Sequence, residues 1–311
     1  MTLKKGWLLV ATMLGASFAP AQTVSGNLAG TIYDQTGAIV PNAKVVVKNE
    51  ATGVETSTIG TNAGQYRISN LPVGTYDLTI TAPGFTTAQV TGVTTQLNVT
   101  STKNVTLEVG QNVQTVEVTT AGAEIDTTTA QIQNAFNPQE LQNLPVASSG
   151  SGVINLSLLN AGVATSGGVG VGTGPSIGGQ RPRNNNFTIE GIDNNNDSVT
   201  GPVVMVPNDA VQQFTVLQNQ FSPEYGHSSG GQFNQIVTSG TNQFHGMAYE
   251  YLENRDLNAA DNLSAVDQTP LHPRYDNNRF GGNAGGPIKK DKLFFFFDYE
   301  YNPIGESGTA G

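Results

Sequence analysis

The chain has 311 residues, a formal net charge of −10, only 12% charged residues, 37 glycines and no cysteine. The acidic balance, with no basic patch beyond "KKDK", argues against nucleic acid as a partner. The missing thiols exclude disulfides and thiolate metal sites, and the 37% of apolar residues, set in short alternating runs, is a folded β-rich composition rather than a disordered one.

The N-terminus reads "MTLKKGWLLVATMLGASFAPAQT". Lys4 and Lys5, the apolar run from Trp7 to Phe18 and the small-residue site Ala19-Pro20-Ala21 have the order of a secretory signal. Residues 1–21 are therefore expected to be cleaved on export, an uncleaved anchor being the alternative. The apolar run is shorter than the ~20 residues a spanning helix needs, and no later stretch reads as a transmembrane helix.

Residues 22–110 carry short strands of period two. Val45 and Val47 alternate with Lys44, Val46 and Lys48; Tyr76, Leu78 and Ile80 with Asp77 and Thr79; Val105 and Leu107 with Thr106. Turn signals at Asp34 to Gly37, Pro41-Asn42, Asn62 to Gly64, Pro72 to Gly74 and Pro83-Gly84 separate them. The pattern predicts an antiparallel β-sandwich. The stretch from Gly30 to Phe85, above all the run from Gly64 to Tyr76, resembles a carboxypeptidase regulatory-like domain, which implies a prealbumin-like sandwich and no peptidase. The region holds no histidine, so a zinc-peptidase centre has no ligands there.

Residues 111–128 form a polar connector with one apolar alternation, Val116 and Val118. It reads either as one more edge strand or as a segment offered to a partner. Gln114, Thr115, Val116, Glu117, Val118 and Thr119 are similar to the segment that outer-membrane transporters present to the energy-coupling protein TonB. Such pairing is strand addition, which backbone hydrogen bonds carry and which places loose demands on sequence.

Residues 129–239 read as a mixed α+β domain. Asn137 as N-cap, Pro138 at the first helical position and Glu140 three residues after the cap predict a helix start. "VINLSLLNAG" is a second short helical segment, "GGVGVGTGPSIGG" a loop, and "VPNDAVQQFTVLQNQ" a short helix passing into a strand. Two runs, Arg183 to Asn195 and "FSPEYGHSSGGQFNQIVTSGTNQFHG", resemble the plug of TonB-dependent receptors, more narrowly the Oar-like group. Gly226, Ser229, Gly230, Gly231 and Asn234, closing on Ile236-Val237-Thr238, carry most of that match.

Residues 240–311 alternate as barrel strands do. His245, Met247, Tyr249 and Tyr251 share one face of the first; Phe280, Gly282, Ala284 and Ile288 oppose Arg279 and Asn283 in the second. "KKDK" is a hairpin turn, after which Leu293, Phe295, Phe297, Tyr299 and Tyr301 oppose Phe294, Phe296, Asp298 and Glu300. In water that aromatic stripe would aggregate; in a bilayer the apolar face meets lipid and the acids face the lumen. A membrane barrel takes at least ~8 strands, and residues 240–311 have room for about three. The chain is thus expected to be the front of a longer receptor, or to work without a barrel of its own.

Motifs of catalysis and metal binding are weaker. Gly226-His227-Ser228-Ser229-Gly230 matches a nucleophile elbow, but the residues after it alternate like a strand where that motif needs a helix. Asp193 to Asp197 opens like a calcium loop yet has Ser198 and Val204 where Gly and Glu belong. His227, His245 and His272 lack zinc-site spacing. The sequence therefore predicts a mainly β protein: a prealbumin-like sandwich, an α+β plug and the first strands of an incomplete transmembrane β-barrel. Its expected role is that of an outer-membrane TonB-dependent receptor without cofactor or catalysis, whose partners are TonB, outer-membrane lipid and an unnamed extracellular ligand. Arg181, Arg183, Asn194 and Asn195 are the candidate ligand contacts. The alternatives are a secreted or surface β-sandwich adhesion protein, binding a glycan or a neighbouring protein, and an exported hydrolase built on Ser228.

Overall fold

The computed structural model describes residues 24–110, 113–117, 131–143, 152–165, 174–196, 201–219, 221, 225–226, 228–257 and 274–306. The expected signal segment, Val118, Thr119, His227 and His272 lie outside these residues.

The first unit is a two-sheet sandwich. Its strands are β1 (Gly26–Asp34), β2 (Lys44–Asn49), β3 (Glu55–Ile59), β4 (Gln65–Leu71), β5 (Gly74–Thr81), β6 (Thr87–Thr95), β7 (Thr100–Thr102), β8 (Val105–Leu107) and β9 (Val113–Glu117). One sheet runs β4-β1-β7, with β8 also on β1; the other runs β3-β2-β5-β6-β9. The alternation read from the sequence is the burial pattern: Val45, Val47, Leu78 and Ile80 are buried, with Lys44 and Lys48 exposed. Full burial of each such side chain contributes about 1.5–3 kcal/mol. The Tyr66 and Tyr76 rings join this core while their hydroxyls donate to Lys103 O (2.7 Å) and Pro72 O (2.8 Å). The motif from Gly64 to Tyr76 is thus a set of core anchors whose polar tips are satisfied.

The sandwich departs from the expected antiparallel pattern. β1 pairs with β7 and β8, and β6 with β9, in parallel. Side-chain alternation fixes which face is buried and carries no information about strand direction.

The turn at Asp34 closes as its residues suggest. Asp34 Oδ1 accepts from the Thr36 hydroxyl (2.6 Å) and from the Ala38 (2.9 Å) and Thr36 (2.8 Å) N–H groups. These bonds, the Thr36 hydroxyl foremost, hold the carboxyl below its ordinary value. A lowered folded pKa means that the stabilisation is present above the unfolded carboxylate range and is lost as pH falls through the folded value. Melting curves followed by circular dichroism from neutral pH to about 2 should show Asp34→Asn less stable than the parent at neutral pH, with the gap closing in acid.

The central unit is a further sheet with short helices on it. β10 (Ile132–Phe136) leads into α1 (Pro138–Asn143), then β11 (Val163–Thr165), β12 (Pro175–Ile177), β13 (Asn186–Ile189), β14 (Ile192–Asp193), β15 (Val211–Asn219) and β16 (Gln232–Val237). The five-stranded order is β10-β15-β16-β13-β14, and β11 and β12 form a separate hairpin. α1 begins with the expected reciprocal cap: Glu140 N donates to Asn137 Oδ1 (3.0 Å) and Asn137 N to Glu140 Oε2 (2.9 Å). "VINLSLL" is a 3₁₀ helix, within Gly152–Leu159, that buries Val153, Ile154 and Leu156. Phe214 is the centre of the core, stacked on Phe136 (5.8 Å) and Phe233 (6.2 Å).

The last unit is an open antiparallel sheet: β17 (His245–Asn254), β18 (Tyr275–Lys289) and β19 (Leu293–Tyr301), with β20 (Ile304–Glu306) on β18. Burial along β19 alternates at every residue, leaving Phe295, Phe297, Tyr299 and Tyr301 outward and Phe296, Asp298 and Glu300 inward. Asp291, with φ 61°, makes the hairpin turn inside "KKDK". β18 is rich in glycine because rings from its neighbours lie across it. A Cβ on Gly285 would stand 2.7 Å from the His245 ring and one on Gly286 would overlap the Phe244 ring, while one on Gly281 would meet the Tyr299 carbonyl before the Tyr249 hydroxyl.

Candidate functional site

The two plug-like runs of the sequence meet as a parallel pair. β13 lies beside β16 in the register Asn186↔Gln232, Phe187↔Phe233 and Thr188↔Asn234. Polar side chains bridge the pair: Asn186 Nδ2 donates to Gln232 Oε1 (2.7 Å) and Thr188 Oγ1 to Asn234 Oδ1 (2.6 Å). All four are buried, so these bonds offset a desolvation cost that would otherwise be about 1–3 kcal/mol per group.

The glycine–serine turn before β16 fits against the same strand. Ser228 Oγ donates to Asn184 O (2.7 Å) and accepts from Gly230 N (3.1 Å), and Gly231 N donates to Asn185 Oδ1 (2.9 Å). A Cβ on Gly230 would run into Asn185 Oδ1 and come within 3.0 Å of Asn184 O. Ser228 therefore ties a turn together and is followed by a strand, not the helix of a nucleophile elbow.

The four candidate ligand contacts separate into two kinds. Arg181 and Arg183 are exposed at a 3₁₀ turn. Asn194 is buried and bonded through both side-chain atoms to the Val204 backbone (2.9 Å each). Asn195 accepts from Phe187 N (3.0 Å) and donates to Asn186 Oδ1 (2.6 Å) and to Asp193 Oδ1. The structure brings these asparagines into the polar ladder and leaves the arginines outside it.

A feature missed in the sequence joins the central unit to the inner face of the β17–β19 sheet. Asp209, 6% exposed at the entry to β15, accepts from the Tyr251 hydroxyl (3.0 Å), and its carbonyl accepts from Asn283 Nδ2 (3.4 Å). Burial raises the Asp209 carboxyl above its ordinary value, against the opposing effects of Tyr251 and of the Arg279 charge. Arg279 lies over the Tyr251 ring (4.4 Å) and 3.6 Å from Glu300, which accepts from Tyr249 (3.3 Å). The sequence had put Tyr251, Arg279 and Glu300 on definite faces; Asp209, a lone acid ahead of an apolar strand, was the unused signal.

The sandwich is bonded to both other units. Gln213 Oε1 accepts from Leu97 N (3.1 Å), and Gln133 Nε2 donates to Leu97 O (2.9 Å). Asn242 donates to Ala51 O (2.9 Å) and Thr52 O (2.7 Å) and exchanges bonds with Asp291 of the hairpin turn. A cavity of about 650 Å³ lies where the three units meet, with Tyr76, Gln212, Asp209, His245 and Phe296 among its walls. Of the candidate TonB-pairing residues, those from Gln114 to Glu117 lie in β9, parallel to β6.

Comparison with known proteins finds relatives for parts of this chain. Residues 27–108 match the carboxypeptidase regulatory-like domain and residues 236–310 the outer membrane beta barrel domain. Over 297 residues, 94% of this chain, the sequence is 28% identical to the TonB-dependent transporter Oar of Myxococcus xanthus. Over most of its length this chain is similar to that Oar transporter. It spans 28% of the length of that relative. The siderophore receptor PirA from Acinetobacter baumannii is a structural neighbour at TM-score 0.42 and 23% identity, covering 55% of this chain and 24% of its own. The barrel domain and the Oar relationship place the Oar-like chain in the bacterial outer membrane.

Proposed function

We propose that this chain supplies the sandwich, plug and first barrel strands of an outer-membrane transporter that takes up an extracellular ligand with energy from TonB. The observation that carries the reading is the two-sidedness of the β17–β19 sheet. Its outer face is a stripe of Phe and Tyr suited to lipid. Its inner face is polar and hydrogen-bonded to Asp209 of the central unit. A polar wall holding a packed domain is what a plugged lumen requires.

Residues 129–239 are the plug in this reading, and residues 111–128 the connector. Ligand arrives at the exposed side, where Arg181 and Arg183 are free to meet an anionic or polar group. Residues 114–119 pair with TonB by strand addition, and the pull rearranges the plug. No covalent chemistry enters this cycle.

Binding of the periplasmic C-terminal domain of TonB to the detergent-solubilised chain tests the pairing. Val116→Pro removes a backbone donor and should weaken binding at least tenfold, about 1.4 kcal/mol. Unchanged affinity in that variant would reject 114–119 as the contact.

A further inference from the structure

The sandwich holds residues 114–117 of the candidate TonB-pairing segment in a form that strand addition can use directly. β9 is the terminal strand of its sheet, and among the described residues no strand covers its outer side. It pairs with β6 from Thr87↔Val113 to Thr91↔Glu117 without a register shift. The ends of the facing sheet are blunted as solvent-facing edges usually are: β7 and β8 have three residues each, and β4 carries Arg67. The sequence of β9, Val-Gln-Thr-Val-Glu, has neither Lys nor Pro, and its one charge, Glu117, stands at the strand's end. Five residues of edge in unbroken register, roughly 16 Å at 3.3 Å per residue, are enough for an added strand.

We infer that β9 is a preformed docking edge: TonB adds a strand to its outer side while β9 remains bonded to β6, giving one sheet that runs from the sandwich into TonB. This deepens the proposed function and rests on 114–119 being the pairing segment. A strand already extended and in register has lost its conformational freedom before the partner arrives, which favours binding. The arrangement also sets the path of the pull. β6 leads, two residues on, into Leu97, whose N–H and C=O are held by Gln213 of β15 and Gln133 of β10. Force on β9 therefore reaches the two adjacent strands at one side of the central sheet through the sandwich.

The chain has no cysteine, so an engineered pair reports cleanly. Gln89 and Thr115 are register partners. Gln89→Cys combined with Thr115→Cys in the detergent-solubilised full chain should crosslink under mild oxidation. Thr91→Cys with Thr115→Cys, two positions out of register, should not. The crosslinked protein should bind the TonB C-terminal domain within about threefold of the reduced protein, or more tightly. A loss of tenfold or more on oxidation, restored by reduction, would show that the segment must leave β6 and would overturn the proposal. Failure of the Gln89 and Thr115 positions to crosslink would overturn it too. Absence of TonB binding in both redox states has a different meaning: it rejects 114–119 as the pairing segment, and the preformed edge falls with it.

Discussion

Phe214→Ala should destabilise the central unit by about 3–5 kcal/mol, the range for emptying a large aromatic from a packed core. Phe214 is fully buried, and it is the ring that bridges Phe136 of β10 to Phe233 of β16. Its removal separates two stacked contacts and leaves a void that three strands cannot close without moving. A domain of this size has about 5–15 kcal/mol in total, so the variant should lose a large part of its stability. Thermal melting of the detergent-solubilised chain should fall by more than about 10 °C. The sandwich has a core of its own, so its unfolding should move less. A shift of only a degree or two would mean that the stacked phenylalanines are not what holds the central sheet together.

Phe297→Arg should impair membrane integration, whereas Phe297→Leu should not. Phe297 is the middle residue of β19, points outward and is 63% exposed. Where that face meets acyl chains, an arginine near the bilayer midplane costs about 2–4 kcal/mol. The measurement is the fraction of chain kept in the membrane pellet after an alkaline wash, with Phe297→Leu as the control. Equal retention of Arg and Leu variants would mean that β19 does not face lipid.

Much of this architecture is legible in the sequence because burial imposes a period. Val45, Val47, Leu78 and Ile80 are buried in one sheet, and a half-covered strand must alternate. The same rule at the C-terminal end sends Phe297 outward and Asp298 inward. It fails in the central sheet. β15 buries Gln213, Thr215 and Gln218 together with Phe214 and Val216, so both faces are covered and polarity no longer reports on position. The Asn186–Gln232 and Thr188–Asn234 bridges join residues 46 apart in sequence, and no local pattern announces them. The Gly-x-x-Ser-Gly-Gly-x-x-Asn motif was visible as a plug signature. Its physical basis, a backbone turn pressed against Asn184 and Asn185, required the pairing of β13 with β16. The role of Asp209 is not legible for a related reason: its partners, Tyr251 and Asn283, sit on strands of a different unit.

The glycines of β18 tie its substitutions to those of its neighbours. Gly285 yields its missing side-chain volume to His245, and Gly286 yields its own to Phe244. Neither partner can vary alone over evolutionary time: a methyl gained on the middle strand demands a ring lost beside it. Drift in this wall should thus proceed by coupled exchanges, and sites 244 and 286 should co-vary across descendants while each looks invariant within any one lineage.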